Sequence, residues 1–454
     1  MSENTMLKVN DSGHLVVGGC DAVELAHKHG TPLYVYDEGR IRARCREYMK
    51  EFGNRYPEVE IAYAAKAALT TGIARLMDQE GMGLDVASAG ELYTALQADF
   101  PAERIKMHGN NKSNLEYRMA IESGVGRIVV DSLLELKQLQ CWAGKMGATA
   151  DILIRVRPGI DTHTHQSIQT GQVDSKFGVG IFGGEAREAI ERAMEAEGIN
   201  LRGLHCHIGS QLLETDAFER AIDQMVEFLA RMHDELGLAC EDLDLGGGLG
   251  IRYTAQDEPP TVADLAEAIC PRLLAKLDEH GLSHPRLILE PGRSIVGEAG
   301  VTLYTVGVVK NIPDLRTYVS VDGGLSDNPR PALYEAEYEA VVASRADQEP
   351  THWVRVAGKH CETDTLIDDT CVAECEAGDI LAVFATGAYN YAMASNYNRF
   401  TRPAVVLCCD GEDSLLVERE SLADLITHDR IPRHLEPRDA DERGCRGRDC
   451  RGQG

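Results

Sequence analysis

Short apolar runs alternate with amphipathic segments through the first two thirds of the chain. Apolar runs of about four to eight residues predict buried strands, and Ala-, Glu- and Leu-rich segments between them predict helices. The runs lie at 59–64, 84–87, 104–108, 127–131, 151–156, 201–207, 242–245 and 286–290. Eight strands separated by helices match a (β/α)8 TIM-type barrel, with a doubly wound sheet as the alternative. We therefore predict the fold class α/β, with a barrel over residues 37–300.

After residue 300 the pattern changes to β-branched alternation. Segments such as "VTLYTVGVVKNI", "THWVRVAG" and "AVVLCCDG" are typical of strands separated by turns, and they predict a C-terminal β-rich domain over 301–430. Residues 1–36 contain the strand-like "HLVVGG" and "PLYVYD", which we expect to pack with that domain. Residues 431–454 are polar and glycine-containing, which predicts a disordered tail.

Composition excludes several classes of function. The formal net charge of −27 disfavours a nucleic-acid partner, which needs clustered Lys and Arg. No apolar run is long enough to span a bilayer, and the first residues lack the pattern of a signal peptide, so we expect a cytoplasmic protein without a membrane partner. Thirteen cysteines without a C-x-x-C pair suggest neither a disulfide framework nor structural zinc. The "HTH" at 163–165 has no third ligand at suitable spacing, so no metal is expected.

Polar and glycine residues collect at the ends of the predicted strands. They are Lys66 after the first strand, Asp85 in the second, His108 closing the third, His207 closing the sixth, Gly246–Gly248 after the seventh and Glu290 closing the eighth. Barrel enzymes build their active sites at the C-terminal ends of the strands. Lys66, isolated in "AYAAKAA", is either a helix-surface residue or a desolvated amine whose lowered pKa suits Schiff-base chemistry. Its position favours the amine.

Two segments suggest a phosphate-bearing ring as ligand. In "HCHIGSQ", the imidazole of His207 could stack on a cofactor ring while the hydroxyl of Ser210 reaches a phosphate, and the alternative is a hydrogen-bonded buried histidine. "DLGGGLG" is not a dinucleotide fingerprint, because residue 251 is Ile where that pattern needs Gly. Its glycines, Gly248 among them, could expose backbone N–H groups to a phosphate or form only a tight turn.

Charged residues in later segments suggest anion recognition. Glu290 in "LEPGR" needs a cation or a protonated ring nitrogen as partner, and Arg293 offers a planar fork for a carboxylate or phosphate. The alternative is an internal Glu–Arg pair. Arg330 and Tyr334 in "DNPRPALY" could clamp one anion. The remaining candidates are Cys361 as a proton donor, Glu362 as an amine-binding carboxylate and Tyr389 as a ligand contact. Taken singly, such residues are more readily explained as a surface Arg, a buried Cys and a packed Tyr than as site residues.

Taken together, these segments resemble the fold-type III, pyridoxal-phosphate-dependent decarboxylases over residues 30–430. The resemblance rests on "YAAKA", "GLDVASAGEL", "HGNNKS", "TGQVDSKFGVG", "HCHIGSQ", "GGGLG", "EPGR", "DNPRPALY", "HCET" and "TGAYNYAMASNYN". An ordered set of this kind is far more specific than any one motif. Within the family, "DNPRPALY" and "MASNYN" favour meso-2,6-diaminopimelate as substrate over ornithine, arginine or a carboxylated polyamine.

The resemblance implies a cofactor, pyridoxal 5′-phosphate (PLP), and a role for each candidate. Lys66 would bind the cofactor as a Schiff base, His207 would stack on its ring, and Glu290 would pair with its ring nitrogen. The other implied cofactor contacts are Ser210, Gly248, Pro291, Gly292, Arg293 and Tyr389, and the implied substrate contacts are Arg293, Arg330, Tyr334, Glu362 and Tyr389. Cys361 would donate the proton that completes lysine formation. Cys361 and Glu362 would come from the neighbouring subunit of a homodimer with shared active sites.

The chain departs from the family's sequence pattern at one place, and two alternative functions on the same barrel have to be weighed. The family commonly continues its Cys-Glu pair with Ser-Gly, whereas this chain has Thr363-Asp364, which could change the loop conformation or the charge near the amine site. An amino-acid racemase of the same barrel is disfavoured by Glu290, since a weaker partner is expected at its ring nitrogen. A catalytically silent scaffold is disfavoured because both Lys66 and Cys361 are present.

Overall fold

A computed structural model describes residues 7–160 and 174–436 of the chain. The "HTH" segment and the first residues of "TGQVDSKFGVG" lie outside the described residues. The predicted tail is described only to residue 436, with a single turn at Arg433–Leu435, and its remainder lies outside them too.

The chain begins with a small hairpin and a strand that later joins the C-terminal sheet. These first elements are β1 (Val16–Val17), β2 (Cys20–Asp21), α1 (Ala22–His29), β3 (Leu33–Asp37) and α2 (Glu38–Gly53). The side chain of Asp21 caps the N-terminus of α1 by accepting from the backbone N–H groups of Val23 and Glu24. Buried apolar residues of β3 face the core of the C-terminal sheet, which explains the apolar run "PLYVYD".

The central residues form a closed barrel of eight parallel strands. The strands are β4 (Val59–Ala64), β5 (Gly83–Val86), β6 (Ile105–Met107), β7 (Arg127–Val130), β8 (Ala150–Arg157), β10 (Ile199–His205), β11 (Asp242–Asp244) and β12 (Arg286–Leu289), and a short β9 (Val179–Gly180) pairs with the end of β8. The ring closes because β12 pairs with β4 and β8 pairs with β10. Each predicted strand is therefore confirmed to within about two residues, and closure excludes the doubly wound sheet.

Helices cover the outside of the barrel. They are α3 (Thr71–Gln79), α4 (Ala89–Gln97), α5 (Asn114–Ser123), α6 (Leu133–Met146), α7 (Glu185–Glu195), α8 (Asp216–Leu236) and α9 (Val262–Glu279), and a single turn, α10 (Arg293–Val296), follows β12. Serine side chains cap three of them, and Ser113 with Glu116 forms a full capping box at α5. Among the described helices, none is both long and apolar enough to cross a membrane.

A sheet-rich C-terminal region follows the barrel. Its elements are β13 (Gly300–Ile312), β14 (Arg316–Val321), α11 (Arg330–Tyr334), β15 (Ala340–Val342), β16 (His352–Ala357), β17 (Thr365–Val372), β18 (Ile380–Val383), β19 (Ala404–Cys409) and β20 (Glu412–Val417). The strand β3 lies between β13 and β19, antiparallel to the first and parallel to the second. The N-terminal segment thus completes the C-terminal sheet, and two separate apolar clusters form the interior of this region.

Candidate active site

A cavity of about 880 Å³ opens where the barrel strands end. Its lining includes the barrel residues Lys66, His108, His207, Ser210, Gly248, Glu290, Gly292 and Arg293, and the C-terminal-region residues Arg330, Tyr334 and Tyr389. The chain therefore brings most of its predicted site residues together around one space. A cavity at this face is where barrel enzymes carry out their chemistry.

Lys66 lies in the short turn Ala65–Ala67 that directly follows β4. Its Nζ atom is 3.4 Å from Asp85 Oδ2, and 45% of its side chain is exposed, whereas its neighbours Ala65 and Ala67 are buried. Burial of the amine within the site lowers the pKa of Lys66, but its interactions with Asp85, Tyr389 and Glu290 more than offset this and raise the pKa above its ordinary value. The expected lowering of the Lys66 pKa is therefore wrong, because a paired carboxylate holds the amine as an ammonium.

Glu290 forms the buried end of the cavity. Its Oε1 atom is 2.7 Å from His108 Nε2, and its Oε2 atom is 3.1 Å from His205 Nε2. Burial raises the pKa of Glu290, but the two imidazoles outweigh it and hold the pKa well below its ordinary value. The site thus keeps an ionised carboxylate among buried side chains at the end of the cavity, and such a group favours a cationic ligand atom.

The same three side chains could be taken for a metal site. Ligand atoms of His108, His205 and Glu290 all lie within 4.8 Å of one another. Atoms that share one zinc ion at about 2.0–2.1 Å in tetrahedral geometry lie roughly 3.3 Å apart. The 2.7 Å contact between His108 and Glu290 is instead a hydrogen-bond distance. We interpret the cluster as two imidazoles holding one carboxylate.

His207 offers a neutral ring to the cavity. Burial, together with the charges of Lys66 and Arg155, lowers the pKa of His207 well below its ordinary value. Gly246 lies against the ring, since a Cβ atom there would be 2.7 Å from His207 Nδ1. An uncharged imidazole backed by bare backbone suits stacking on a flat, electron-poor ring.

The glycine run, Ser210 and Arg293 form the end of the cavity suited to an anion. Gly248 has φ +130°, and a Cβ atom there would lie 2.6 Å from the carbonyl oxygen of Gly209, so only glycine fits. Arg293 Nη2 is 3.0 Å from Ser210 Oγ, and Arg293 Nη1 donates to the Tyr253 hydroxyl at 2.5 Å. A hydroxyl, a guanidinium and an open glycine backbone fit a phosphate group.

The remaining EPGR residues shape the wall rather than supply charge. A Cβ atom at Gly292 would lie 2.9 Å from Ala64 Cβ, so this glycine allows the loop to pass close to Lys66. Pro291 does not line the cavity, but its carbonyl accepts from the Ala64 N–H at 3.0 Å. The site therefore offers an amine that can react with an aldehyde, a carboxylate that can pair with a protonated ring nitrogen, and hydrogen-bond donors for a phosphate. These groups fit PLP.

Arg330 lies at the start of α11 and lines the cavity. Its Nη1 atom donates to the Tyr338 hydroxyl at 2.6 Å, and its guanidinium lies 4.7 Å from the centroid of the Tyr253 ring. Burial lowers the pKa of Arg330, but Tyr253 and Tyr338 outweigh it and raise the pKa. Tyr334 lines the cavity one helical turn further on. This arrangement holds a fixed positive charge facing the ligand space.

Besides Pro291, the predicted site residues that do not line the cavity of this chain are Cys361 and Glu362. Both are exposed in the loop between β16 and β17. The Cys361 N–H donates to Asn398 Oδ1 at 3.4 Å, and the Tyr397 hydroxyl donates to Glu362 Oε1.

Four residues near the site escaped the sequence-based reasoning. His205 precedes His207 by two residues, and the two-residue period of a strand was a signal that both point inward. Arg155 is a buried arginine in the apolar strand β8, which was also a detectable signal. Tyr253 and Tyr338 lie in irregular segments, where no helix or strand periodicity indicates which side chains face inward.

Comparison with known proteins identifies the family. Residues 38–297 match the family model described as pyridoxal-dependent decarboxylase, pyridoxal binding domain. The chain is 47% identical to diaminopimelate decarboxylase of Bacillus subtilis (strain 168), covering 92% of this chain and 96% of the relative. The chain belongs to the diaminopimelate decarboxylases. It is also 42% identical to the enzyme of that name from Mycobacterium tuberculosis (strain ATCC 25618 / H37Rv), over 92% of this chain and 95% of the relative.

A solved structure supports the same family assignment. Diaminopimelate decarboxylase from M. jannaschii in co-complex with L-lysine matches with a TM-score of 0.89 at 38% identity, covering 95% of this chain and 99% of that chain. Membership in this family makes the protein a PLP-dependent lyase, and it accounts for a cavity with an amine, an ionised carboxylate and an anion-binding end.

Proposed function

We propose that this chain decarboxylates meso-2,6-diaminopimelate to L-lysine and carbon dioxide with PLP as cofactor. The observation that carries the proposal is the Glu290 carboxylate, held by His108 and His205 at the buried end of the cavity that also holds Lys66. Relatives that share 42–47% of its residues bear the name of this activity. When bound, PLP acts as the electron sink for the charge left on carbon after loss of carbon dioxide.

The residues of this chain prepare the cofactor for that role. Lys66 would hold it covalently and exchange its amine for that of the substrate. Glu290 would keep a proton on the ring nitrogen, which makes the ring a better electron sink. His207 would pack against the ring as a neutral imidazole. The phosphate would be held by Ser210, Gly248 and Arg293. The contact between Arg293 and Ser210 places the guanidinium and the hydroxyl side by side, where both can reach one anion. Glu290 is buried, and charges interact more strongly in a buried site than in bulk water.

Other residues select and protonate the substrate. Arg330 and Tyr334 would bind the distal carboxylate, and Tyr389 would contact both ligands, since its backbone N–H donates to the Ala67 carbonyl beside Lys66 at 2.7 Å. Glu362 would bind the distal amine, and Cys361 would deliver a proton to the carbon that lost its carboxylate. A fixed cation at the distal end favours a substrate with two carboxylates over ornithine or arginine.

We also propose that the enzyme is a homodimer with shared active sites. Cys361 and Glu362 are exposed and absent from the lining of their own cavity, so they are available to the cavity of a second copy. Mixing Lys66→Ala with Cys361→Ser protein tests this. If Cys361 acts across the interface, each hybrid dimer has one intact site, and random exchange restores about a quarter of the wild-type activity. If both residues act within one chain, no activity returns.

The substrate is tested with purified, PLP-loaded protein. It is incubated separately with meso-diaminopimelate, ornithine and arginine, and carbon dioxide and the amine product are measured. Lysine from the first substrate alone supports the proposal, whereas turnover of ornithine or arginine at an equal rate contradicts it. Lys66→Ala is the control, and it should also lose the visible absorption that borohydride abolishes in the wild type.

A protein that stays colourless with added PLP contradicts the enzyme assignment. A cytoplasmic location stays a prediction from the sequence.

A further inference from the structure

The loop of Cys361 and Glu362 is anchored by the carboxylate of Asp364. Its Oδ2 atom accepts from the backbone N–H of His360 at 2.9 Å and lies 2.7 Å from His360 Nδ1. Its Oδ1 atom accepts from the backbone N–H of Leu325 at 2.8 Å. The Asp364 side chain is only 2% exposed. The carboxylate that departs from the family pattern is therefore turned inward, and it sets the loop conformation rather than the charge around Glu362.

The surrounding backbone leaves space for this carboxylate. A Cβ atom at Gly324 would lie 2.2 Å from Asp364 Oδ2, and one at Gly358 would lie 2.1 Å from the same atom. Asp364 itself has φ 43°, a left-handed conformation that Asp tolerates better than most residues. Three separate backbone positions thus accommodate one buried acid, which indicates a specific anchor rather than incidental burial.

The anchor joins two segments of the proposed active sites. Leu325 belongs to residues 323–330, the segment that ends at Arg330 in the cavity. A second link is the backbone N–H of Lys359, which donates to the carbonyl of Gly323 at 3.0 Å. The loop that carries Cys361 is therefore tied to the segment that places Arg330.

On its outer side, the anchor is connected to Glu362 through two rings. The His360 ring is fully enclosed and stacks on Tyr397, with centroids 5.6 Å apart and an interplanar angle of 11°. The edge of Phe400 packs against the same ring at 4.9 Å. The hydroxyl of Tyr397 donates to Glu362. An unbroken series of contacts runs from Asp364 through His360 and Tyr397 to the exposed carboxylate.

We propose that Asp364 is a positioning residue that, through His360 and Tyr397, fixes Cys361 and Glu362 in the geometry needed by the shared active site. The inference rests on the proposed function, in which these two residues protonate the product and bind the distal amine. Displacing a reacting group by about 1 Å can cost roughly a hundredfold in rate, so an anchored loop has a direct catalytic consequence.

The test compares Asp364→Asn with Asp369→Asn, an exposed acid in the strand β17 that directly follows Asp364. The amide keeps the size of the side chain but turns a donor NH2 group toward at least one of the three N–H groups that the carboxylate accepts from. In the PLP-loaded dimer we expect kcat with meso-diaminopimelate to fall at least about tenfold and KM to rise, with cofactor content unchanged. We also expect iodoacetamide to alkylate Cys361 at least about threefold faster, because the loop opens more often. Asp369→Asn should change neither quantity.

A second pair of variants covers the case in which Asp364→Asn fails to assemble. His360→Asn keeps a side-chain N–H near Nδ1 but loses the ring that stacks on Tyr397, whereas His360→Ala loses both. If the anchor operates as proposed, the Ala variant shows the slow turnover and fast alkylation, and the Asn variant, which keeps the hydrogen bond to Asp364, returns both part of the way toward wild type. Equal loss in the two variants overturns the inference, as does an assembled Asp364→Asn enzyme with wild-type kcat and wild-type alkylation.

Cys361→Ser separates this inference from the proposed function. If Cys361→Ser loses activity while Asp364→Asn retains it, only the positioning role fails. If Cys361→Ser keeps full activity, the proton-donor role fails, and the inference fails with it because the loop then has no reacting group to position. The alkylation readout is assigned by peptide mass, with Cys361→Ser as the blank, because Cys141 is also exposed.

Discussion

Glu290 accepts a hydrogen bond from His108 at 2.7 Å, and both residues are buried where they line the end of the cavity. His205, whose pKa is lowered to about 3 by burial, is a neutral second donor to the same carboxylate. The carboxylate is thus kept ionised by N–H donors rather than by a permanent cation. It can therefore hold a proton on a ligand nitrogen without first giving up a salt bridge to an arginine or lysine.

Replacing Glu290 with Gln tests this role. The neutral amide cannot keep a ring nitrogen protonated, so we expect kcat to fall at least about a hundredfold. Cofactor bound through Lys66 should remain visible by absorbance and be trapped by borohydride. The matched control is Glu267→Gln on the exposed face of α9, which should retain wild-type kcat. Wild-type turnover by Glu290→Gln would show that the carboxylate serves only packing.

The sequence predicts the barrel well because buried parallel strands are apolar runs that end in polar residues. Lys66, His207, Gly248 and Glu290 were identified because each follows or closes such a run. The pKa of Lys66 was not predictable, because its alanine neighbours do not reveal that Asp85, on the next strand, lies 3.4 Å away. The inward direction of the Asp364 carboxylate depends on contacts with Leu325, which is remote in sequence, and no local pattern indicates it.

Arg330→Ala should weaken substrate binding more than it slows chemistry. The guanidinium faces the cavity, and a charge-assisted hydrogen bond to a carboxylate contributes about 1.5–3 kcal/mol. We expect KM for meso-diaminopimelate to rise roughly tenfold to a hundredfold, with a smaller change in kcat. Arg330→Lys should recover only part of the loss, because lysine lacks the planar fork. Steady-state kinetics measure both constants.

Arg345→Ala is the control for Arg330→Ala, because Arg345 forms salt bridges with Glu376 and Asp379 outside the residues that line the cavity. It should leave both kinetic constants unchanged. An Arg330→Ala enzyme with unaltered KM would assign the distal carboxylate to another residue.

Replacing either of two glycines with alanine should change the free energy of unfolding, but in opposite directions. A Cβ atom at Gly247 would lie 2.1 Å from the carbonyl oxygen of Glu290, so Gly247→Ala must displace the backbone that carries the carboxylate. We expect its free energy of unfolding to drop by more than about 2 kcal/mol and its affinity for PLP to fall. Gly144, within α6, has open space around it, and Gly144→Ala should add up to about 1 kcal/mol. Urea unfolding and PLP titration measure these changes, and equal stability of the two variants would contradict the close packing at Gly247.

Asp327 should make the stability of the enzyme fall as the pH rises. Burial raises the pKa of Asp327 to about 7, although hydrogen bonds from the Tyr304 hydroxyl and the Gly324 N–H oppose the rise. An unfolded Asp titrates near about 3.9, so between these values the folded state retains a proton that the unfolded state releases. The unfolded state then binds fewer protons than the folded state. The contribution of Asp327 to the free energy of unfolding therefore decreases as the pH rises between these two pKa values, and it is constant above the higher one.

Asp327→Asn removes this titration while keeping the size of the side chain. Relative to wild type, the Asn variant should gain up to about 3 kcal/mol between about pH 5 and about pH 8, as measured by urea unfolding at one protein concentration. The exposed Asp369→Asn variant should follow the wild-type profile. If the free energies of unfolding of Asp327→Asn and wild type instead differ by a constant amount over this range, the Asp327 carboxyl is already ionised at about pH 5. The hydrogen bonds from Tyr304 and Gly324 would then be strong enough to overcome its burial.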